Sequence, residues 1–181
     1  MLVAASVLLL GLSGCDRAAK VTGPVLLNSR YQDEQPALSG DGRWLAFTTN
    51  RNGRSEILLY DLQEQRFAVL NGLNPQGAIL ESPSLSWTAR YVVFLANGTG
   101  RPEIVFYDRL TGRSQALNQP YRSWLRHPAV SPDGRYIVFE TSRRGQWDVE
   151  ILDRGPNVEL DCPTGFLCNR PLQPRTSRFQ A

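Results

Sequence analysis

The chain has 181 residues, 41% of them hydrophobic, and a formal net charge of +3. That is enough apolar material for one folded domain of ordinary size, and it excludes a wholly disordered protein. Arginine supplies every Lys/Arg charge except Lys20, and most of these charges alternate with acids along the chain. Charge alone therefore singles out neither a nucleic acid nor an anionic lipid as partner.

Leu2 to Leu12 is an apolar run that ends in Ser13, Gly14 and Cys15 before polarity begins at Asp16 and Arg17. It is too short to span a bilayer and fits the core of an export signal, although no Lys or Arg precedes it. Leu12-Ser13-Gly14-Cys15 resembles a bacterial lipobox. The resemblance implies that residues 1–14 are removed as a signal peptide and that Cys15 receives lipid. Residues 15–24 would then form the anchor and linker. More than one acyl chain makes such attachment durable, so the expected location is the cell membrane or outer membrane, facing the periplasm or the cell exterior. Asp16 resembles the inner-membrane retention signal of enterobacterial lipoproteins.

From residue 25 to residue 162 the chain repeats itself. Val25-Leu26-Leu27 looks like an orphan fourth strand ahead of three units, at about 36–82, 83–127 and 128–162. The string from Pro36 to Phe47 recurs from Pro128 to Phe139, with a degenerate copy from Pro83 to Phe94. Phe47, Phe94 and Phe139 are spaced by 47 and 45 residues, and Asp61, Asp108 and Asp153 repeat the same two intervals. Each unit reads as four strands. The first two meet at a tight turn, Gly40-Asp41-Gly42 or Pro132-Asp133-Gly134, in which Gly tolerates positive φ and Asp bonds the turn backbone. Gly53, Gly100 and Gly145 reverse the chain after the second strand, and a third strand ends at the repeated Asp. The fourth is expected at Phe67 to Leu70, at Ser114 to Leu117 and at Val158 to Cys162.

Second strands such as Tyr91-Val92-Val93-Phe94-Leu95 are continuously apolar, so both of their faces must be covered. Blades stacked side by side meet that requirement. The Ser-Pro-Asp-Gly-Arg-Tyr-Ile-Val-Phe string also resembles the repeat of the TolB and prolyl-oligopeptidase propellers, over about Gln35 to Asp161. The resemblance implies an all-β fold of TolB-like β-propeller repeats, about three four-stranded blades. Closed rings usually have four to eight blades. A partial propeller is therefore expected, or one completed by a partner or by a homodimer of six blades.

No Gly-x-Ser-x-Gly elbow and no phosphate-binding glycine loop is present, so no catalytic residue, cofactor or metal is assigned and the chain is read as a non-enzyme. His127, the only histidine, reads as a packing residue at the start of the third unit. Asp41, Gly42, Asp133 and Gly134 read as structural turn residues, because calcium needs several converging oxygens and the middle unit has Thr88-Ala89 instead. Candidate binding residues fall where the units differ. Tyr121, Arg122, Trp124 and Arg126 join aromatic and guanidinium groups of the kind enriched in interface hot spots. Cys162 and Cys168 form a candidate disulfide in an exported protein. Residues 163–181 read as a basic tail containing Arg170, Arg175 and Arg178.

The functional expectation is an envelope lipoprotein that holds other envelope proteins, anchored at Cys15 and without a nucleic-acid partner. A periplasmic glycan or small-ligand sensor is the alternative. A non-catalytic propeller subunit of a hydrolase is a third reading.

Overall fold

A computed structural model describes residues 27, 29–98, 100–117 and 123–163. The strands among them are β1 (Asp33–Leu38), β2 (Trp44–Thr49), β3 (Glu56–Asp61), β4 (Arg66–Ala68), β5 (Ile79–Leu85), β6 (Tyr91–Asn97), β7 (Pro102–Asp108), β8 (Arg113–Leu117), β9 (Leu125–Val130), β10 (Tyr136–Thr141) and β11 (Asp148–Asp153). They form three antiparallel meanders, β1 to β4, β5 to β8 and β9 to β11, which are blades 1, 2 and 3.

Side chains alternate across a strand, so a continuously apolar strand must feed two cores. Strand β6 does this. Val92 and Phe94 join Ala46, Ile57 and Leu59 of blade 1, whereas Tyr91, Val93 and Leu95 join Ile137 and Phe139 of blade 3. Each blade thus has a front face, packed on the blade before it, and a back face, packed on the blade after it. The two inner seams follow this one rule.

The first strand of every blade carries an irregularity in its pairing with the second. Gln35, Ser82 and His127 occupy equivalent positions there with φ of 52°, 52° and 50°, each just ahead of Pro36, Pro83 and Pro128. A bulge leaves one residue unpaired, which suits a proline that lacks an N–H. Across the first seam Gln35 Oε1 accepts a hydrogen bond from Ser82 N at 2.7 Å. His127 therefore owes its backbone conformation to a feature that recurs in all three blades.

The turns between first and second strands stack on one another. In blade 1, Ser39 Oγ donates to Asp41 Oδ1 at 2.5 Å, and Arg43 N donates to the same oxygen at 3.0 Å. Ser131, Asp133 and Arg135 repeat this arrangement in blade 3. Asp41 N donates to Trp87 O at 2.9 Å, and Trp87 N donates to Pro132 O at 2.7 Å. Gly134 holds φ at 79°, and a Cβ there would lie 2.2 Å from the Tyr91 ring. Only glycine fits that approach.

Blade 3 departs from the sequence expectation. Residues 158–162 form no fourth strand, and among the described residues β11 pairs only with β10. The chain instead turns back across the blade 2–3 seam, where Asp161 N donates to Asp133 O at 2.9 Å. The physical reason is the degenerate turn of blade 2, which has Thr88 where the other blades have aspartate. Asp161 supplies the missing carboxylate. It accepts from Ser86 Oγ at 2.5 Å, from Thr88 N at 2.7 Å and from Thr88 Oγ1 at 2.6 Å.

Candidate interaction surface

Strands two and three of each blade are joined at the end opposite the stacked turns. In blade 3 this connection is made by Gly145, with φ of 82°, whose N–H donates to Ser142 O at 3.0 Å. Trp147 lies two residues further on and is 45% exposed. At the same end Trp124 enters β9. Its N–H donates to Ser142 Oγ and its carbonyl accepts from Ser142 N, both at 3.1 Å. The backbone of Trp124 is thereby fixed, while the indole is left 61% exposed.

Arg126 connects this rim to the blade. Its guanidinium lies 3.8 Å from the centre of the Trp147 ring, and its Nε donates to Glu140 Oε2 at 2.5 Å. His127 Nδ1 lies 3.3 Å from the other Glu140 oxygen. The hydrogen bond from Arg126, followed by that from His127, holds the Glu140 carboxyl below its ordinary range. Gly100, Arg101, Pro102, Ser123 and Trp124 line an open cleft of about 240 Å³ at the blade 2–3 boundary. The arrangement offers exposed aromatic faces, a stacked guanidinium and a free cleft wall. Groups of this kind are enriched at interface hot spots; among the described residues no cluster of His, Cys, Asp and Glu is placed to hold a metal.

Of the sequence candidates, Trp124 and Arg126 are brought to one end of blade 3, whereas Tyr121, Arg122, Cys15 and Cys168 lie outside the described residues. Cys162 is disulfide-bonded. Asp41, Gly42, Asp133 and Gly134 sit in the stacked turns. Sequence reasoning passed over Trp147, although a tryptophan in a segment that differs between units is the same signal that drew attention to Trp124. It also passed over two cations between the blades. Arg109 lies 4.1 Å from the centre of the Trp44 ring, and Arg154 lies 3.7 Å from that of Phe106. These two arginines are equivalent in the repeat, and each spans a seam.

A second exposed surface lies on the back of blade 3. The β10–β11 register sets Val138 beside Ile151 and Glu140 beside Val149. Ile151 and Val149 are 68% and 71% exposed, with no blade packed on them among the described residues. Burying two such side chains is worth about 1.5–3 kcal/mol each. On the front of blade 1, Leu38 is 61% exposed, and Leu27, Pro36, Leu45 and Phe47 line an open groove of about 150 Å³.

The architecture is found in solved structures. TolB from Acinetobacter baumannii superposes with a TM-score of 0.62 and 25% identity, over 72% of this chain and 32% of that one. A putative TolB from Agrobacterium tumefaciens gives a TM-score of 0.52 and 22% identity, over 67% of this chain and 43% of that one. A puromycin-hydrolyzing peptidase of Mycobacterium tuberculosis gives a TM-score of 0.53 and 16% identity, over 70% of this chain and 20% of that one. No protein-family model matches the chain, and no curated protein matches it significantly. The chain spans about a third of the length of the first of these structures. By fold it is an all-β protein whose three antiparallel sheets match TolB-like propeller blades.

Proposed function

We propose that this protein is a lipid-anchored envelope lipoprotein that binds another envelope protein through the loop-end rim of its TolB-like blades. The observation that carries the reading is the rim itself. Trp124 and Trp147 stand exposed at one end of blade 3, with Arg126 stacked on Trp147 at 3.8 Å, beside a cleft walled by Arg101 and Ser123. Tryptophan and arginine held on rigid backbone supply contact area at little entropic cost, which is what interface anchors require. The anchor rests on the lipobox-like Leu12-Ser13-Gly14-Cys15. The module is non-catalytic and works by holding its partner at the membrane.

The test is photo-crosslinking in intact cells from a probe placed at position 124, then detergent solubilisation, pull-down and mass spectrometry. One envelope protein recovered near stoichiometry, and lost on Trp124→Ala, is the expected result. No adduct from position 124 or 147 would overturn the binding reading. Cys15→Ser should release the protein from the membrane fraction; retention there would overturn the anchor.

The exposed indole beside a cleft of about 240 Å³ also favours a second reading, a glycan-binding sensor. Retention of the protein on a glycan column, lost on Trp124→Ala, would establish it.

A further inference from the structure

We infer that two copies of this chain close into one ring of six blades, the front of blade 1 in each copy packing on the back of blade 3 in the other. Both inner seams join the back of one blade to the front of the next at equivalent positions. Val93, Ile104 and Phe106 of blade 2 meet Ile137 and Phe139 of blade 3 just as Ala46, Ile57 and Leu59 of blade 1 meet Val92 and Phe94 of blade 2. The two faces left over are the back of blade 3, with Val138, Val149 and Ile151, and the front of blade 1, with Leu38, Leu45 and Phe47. They are repeat equivalents of surfaces that already pair twice within the chain. A head-to-tail contact of this kind must close or propagate into a filament, and closure after two copies leaves no terminal face exposed.

The edge of blade 3 points to the same occupant. Among the described residues, strand β11 lacks the neighbour that β4 gives β3 and β8 gives β7. The fourth-strand segments of blades 1 and 2 run into Val69-Leu70-Asn71 and Ala116-Leu117-Asn118, and the chain carries the same pattern as Leu26-Leu27-Asn28 just ahead of β1. Leu117 pairs with Ile104, and the repeat equivalents of these two are Leu27 and Val149. In chain order the fourth strand of one blade precedes the first strand of the next, β4 before β5 and β8 before β9. A second copy whose blade 1 follows blade 3 therefore brings its own Leu27 to the open edge of β11.

Charge at the rim agrees. The Gln35–Ser82 bond of the first seam has its counterpart between His127 and Gln35 of the second copy. That places Arg126 and His127 beside the exposed Glu34 of the other copy. One seam element is missing from blade 1, where Leu62 stands in the position of Arg109 and Arg154. Leu62 is 39% exposed, so an arginine there would have room to stack on Tyr136 of the second copy.

The inference does not depend on a partner bound at Trp124. The full chain, solubilised in mild detergent, is sized by sedimentation velocity and light scattering across a hundredfold range of concentration. A discrete dimer is expected. Leu27→Cys with Val149→Cys should give a covalent dimer on oxidation, Ile151→Arg should give a monomer, and Leu62→Arg should tighten the dimer several-fold. The last variant is a gain and so cannot be mistaken for misfolding. A monomer at the highest concentration, open-ended oligomers, or a dimer indifferent to both Ile151→Arg and Leu62→Arg would overturn the ring. A monomer that still captures an envelope protein through Trp124 would overturn the ring alone and leave the proposed function standing.

Discussion

Asp161 completes the turn at Ser86 from 75 residues away in the chain, taking the Ser86 hydroxyl hydrogen at 2.5 Å. In blades 1 and 3 the same role falls to an aspartate two residues after the serine, in the Ser39–Asp41 and Ser131–Asp133 pairs. Ser86 is fully buried and Asp161 nearly so. A long-range contact thus replaces a local one, and it ties the chain beyond β11 to the middle of the fold.

Asp161→Ala strands the Ser86 hydroxyl and the Thr88 N–H, and should cost about 2 kcal/mol in urea unfolding, within the range for orphaned buried polar groups. Thr88→Asp alone should also destabilise, because it sets a second carboxylate against Asp161. The double variant restores the local arrangement of the other blades and should recover most of the loss. Additive losses in the double variant would show that the carboxylate is not what the turn requires.

Two glycines with similar backbone angles should respond unequally to alanine. Gly42 has φ of 70° and nothing within 4 Å of an added Cβ, whereas at Gly134 the Cβ would lie 2.2 Å from Tyr91. Gly42→Ala should cost about 1 kcal/mol for the left-handed conformation alone. Gly134→Ala adds overpacking of the blade 2–3 seam and should cost about 3 kcal/mol. Equal losses would mean that the seam yields freely at Tyr91.

What the sequence made legible was local and periodic. Asp61, Asp108 and Asp153 fall at the ends of equivalent strands, as their spacing requires, and Gly53, Gly100 and Gly145 all hold positive φ. What it hid was long-range or nonperiodic. Thr88 marked a turn lacking its carboxylate, but nothing in the chain's order pointed to Asp161 as the acceptor that replaces it, and the segment around Asp161 looked like a strand because Val158 and Leu160 alternate with polar neighbours. Arg109 and Arg154 were invisible for a different reason. A pattern of apolar residues cannot register a cation whose stem and planar head pack between rings. The site was half legible, since Trp124 stood out by composition while its exposure depended on the backbone bonds to Ser142.

Acid should weaken the fold through the paired aspartates at the ends of the third strands. Arg135 donates to both Asp153 oxygens at 2.9 Å and, with the Gly155 N–H, holds that carboxyl down to about 2. In the unfolded chain it returns to about 3.9. The folded value is the lower one, so the unfolded chain binds the proton first. The contribution is fully present above about pH 4 and lost as the pH falls towards 2. Asp61 is shifted in the same direction, chiefly by Arg43. Asp153→Asn should lower Tm at pH 7 and flatten its decline between pH 4 and pH 2. An unchanged slope would assign acid lability to other groups.

The stem of Arg109, more than its charge, should hold the first seam. Burial lowers the pKa of this guanidinium, and its Nε has no partner. One Nη donates to Thr88 O at 3.0 Å, and the head lies over Trp44 at 4.1 Å. Removing a buried charge while keeping its volume is often neutral, because the desolvation cost is removed together with the attraction. Arg109→Met should therefore change stability by about 1 kcal/mol or less, as the flexible thioether fills the same space. Arg109→Ala opens the seam beside Trp44 and should cost about 2–3 kcal/mol, with a red shift in tryptophan emission. A methionine variant as unstable as the alanine variant would show instead that the cation itself joins the blades.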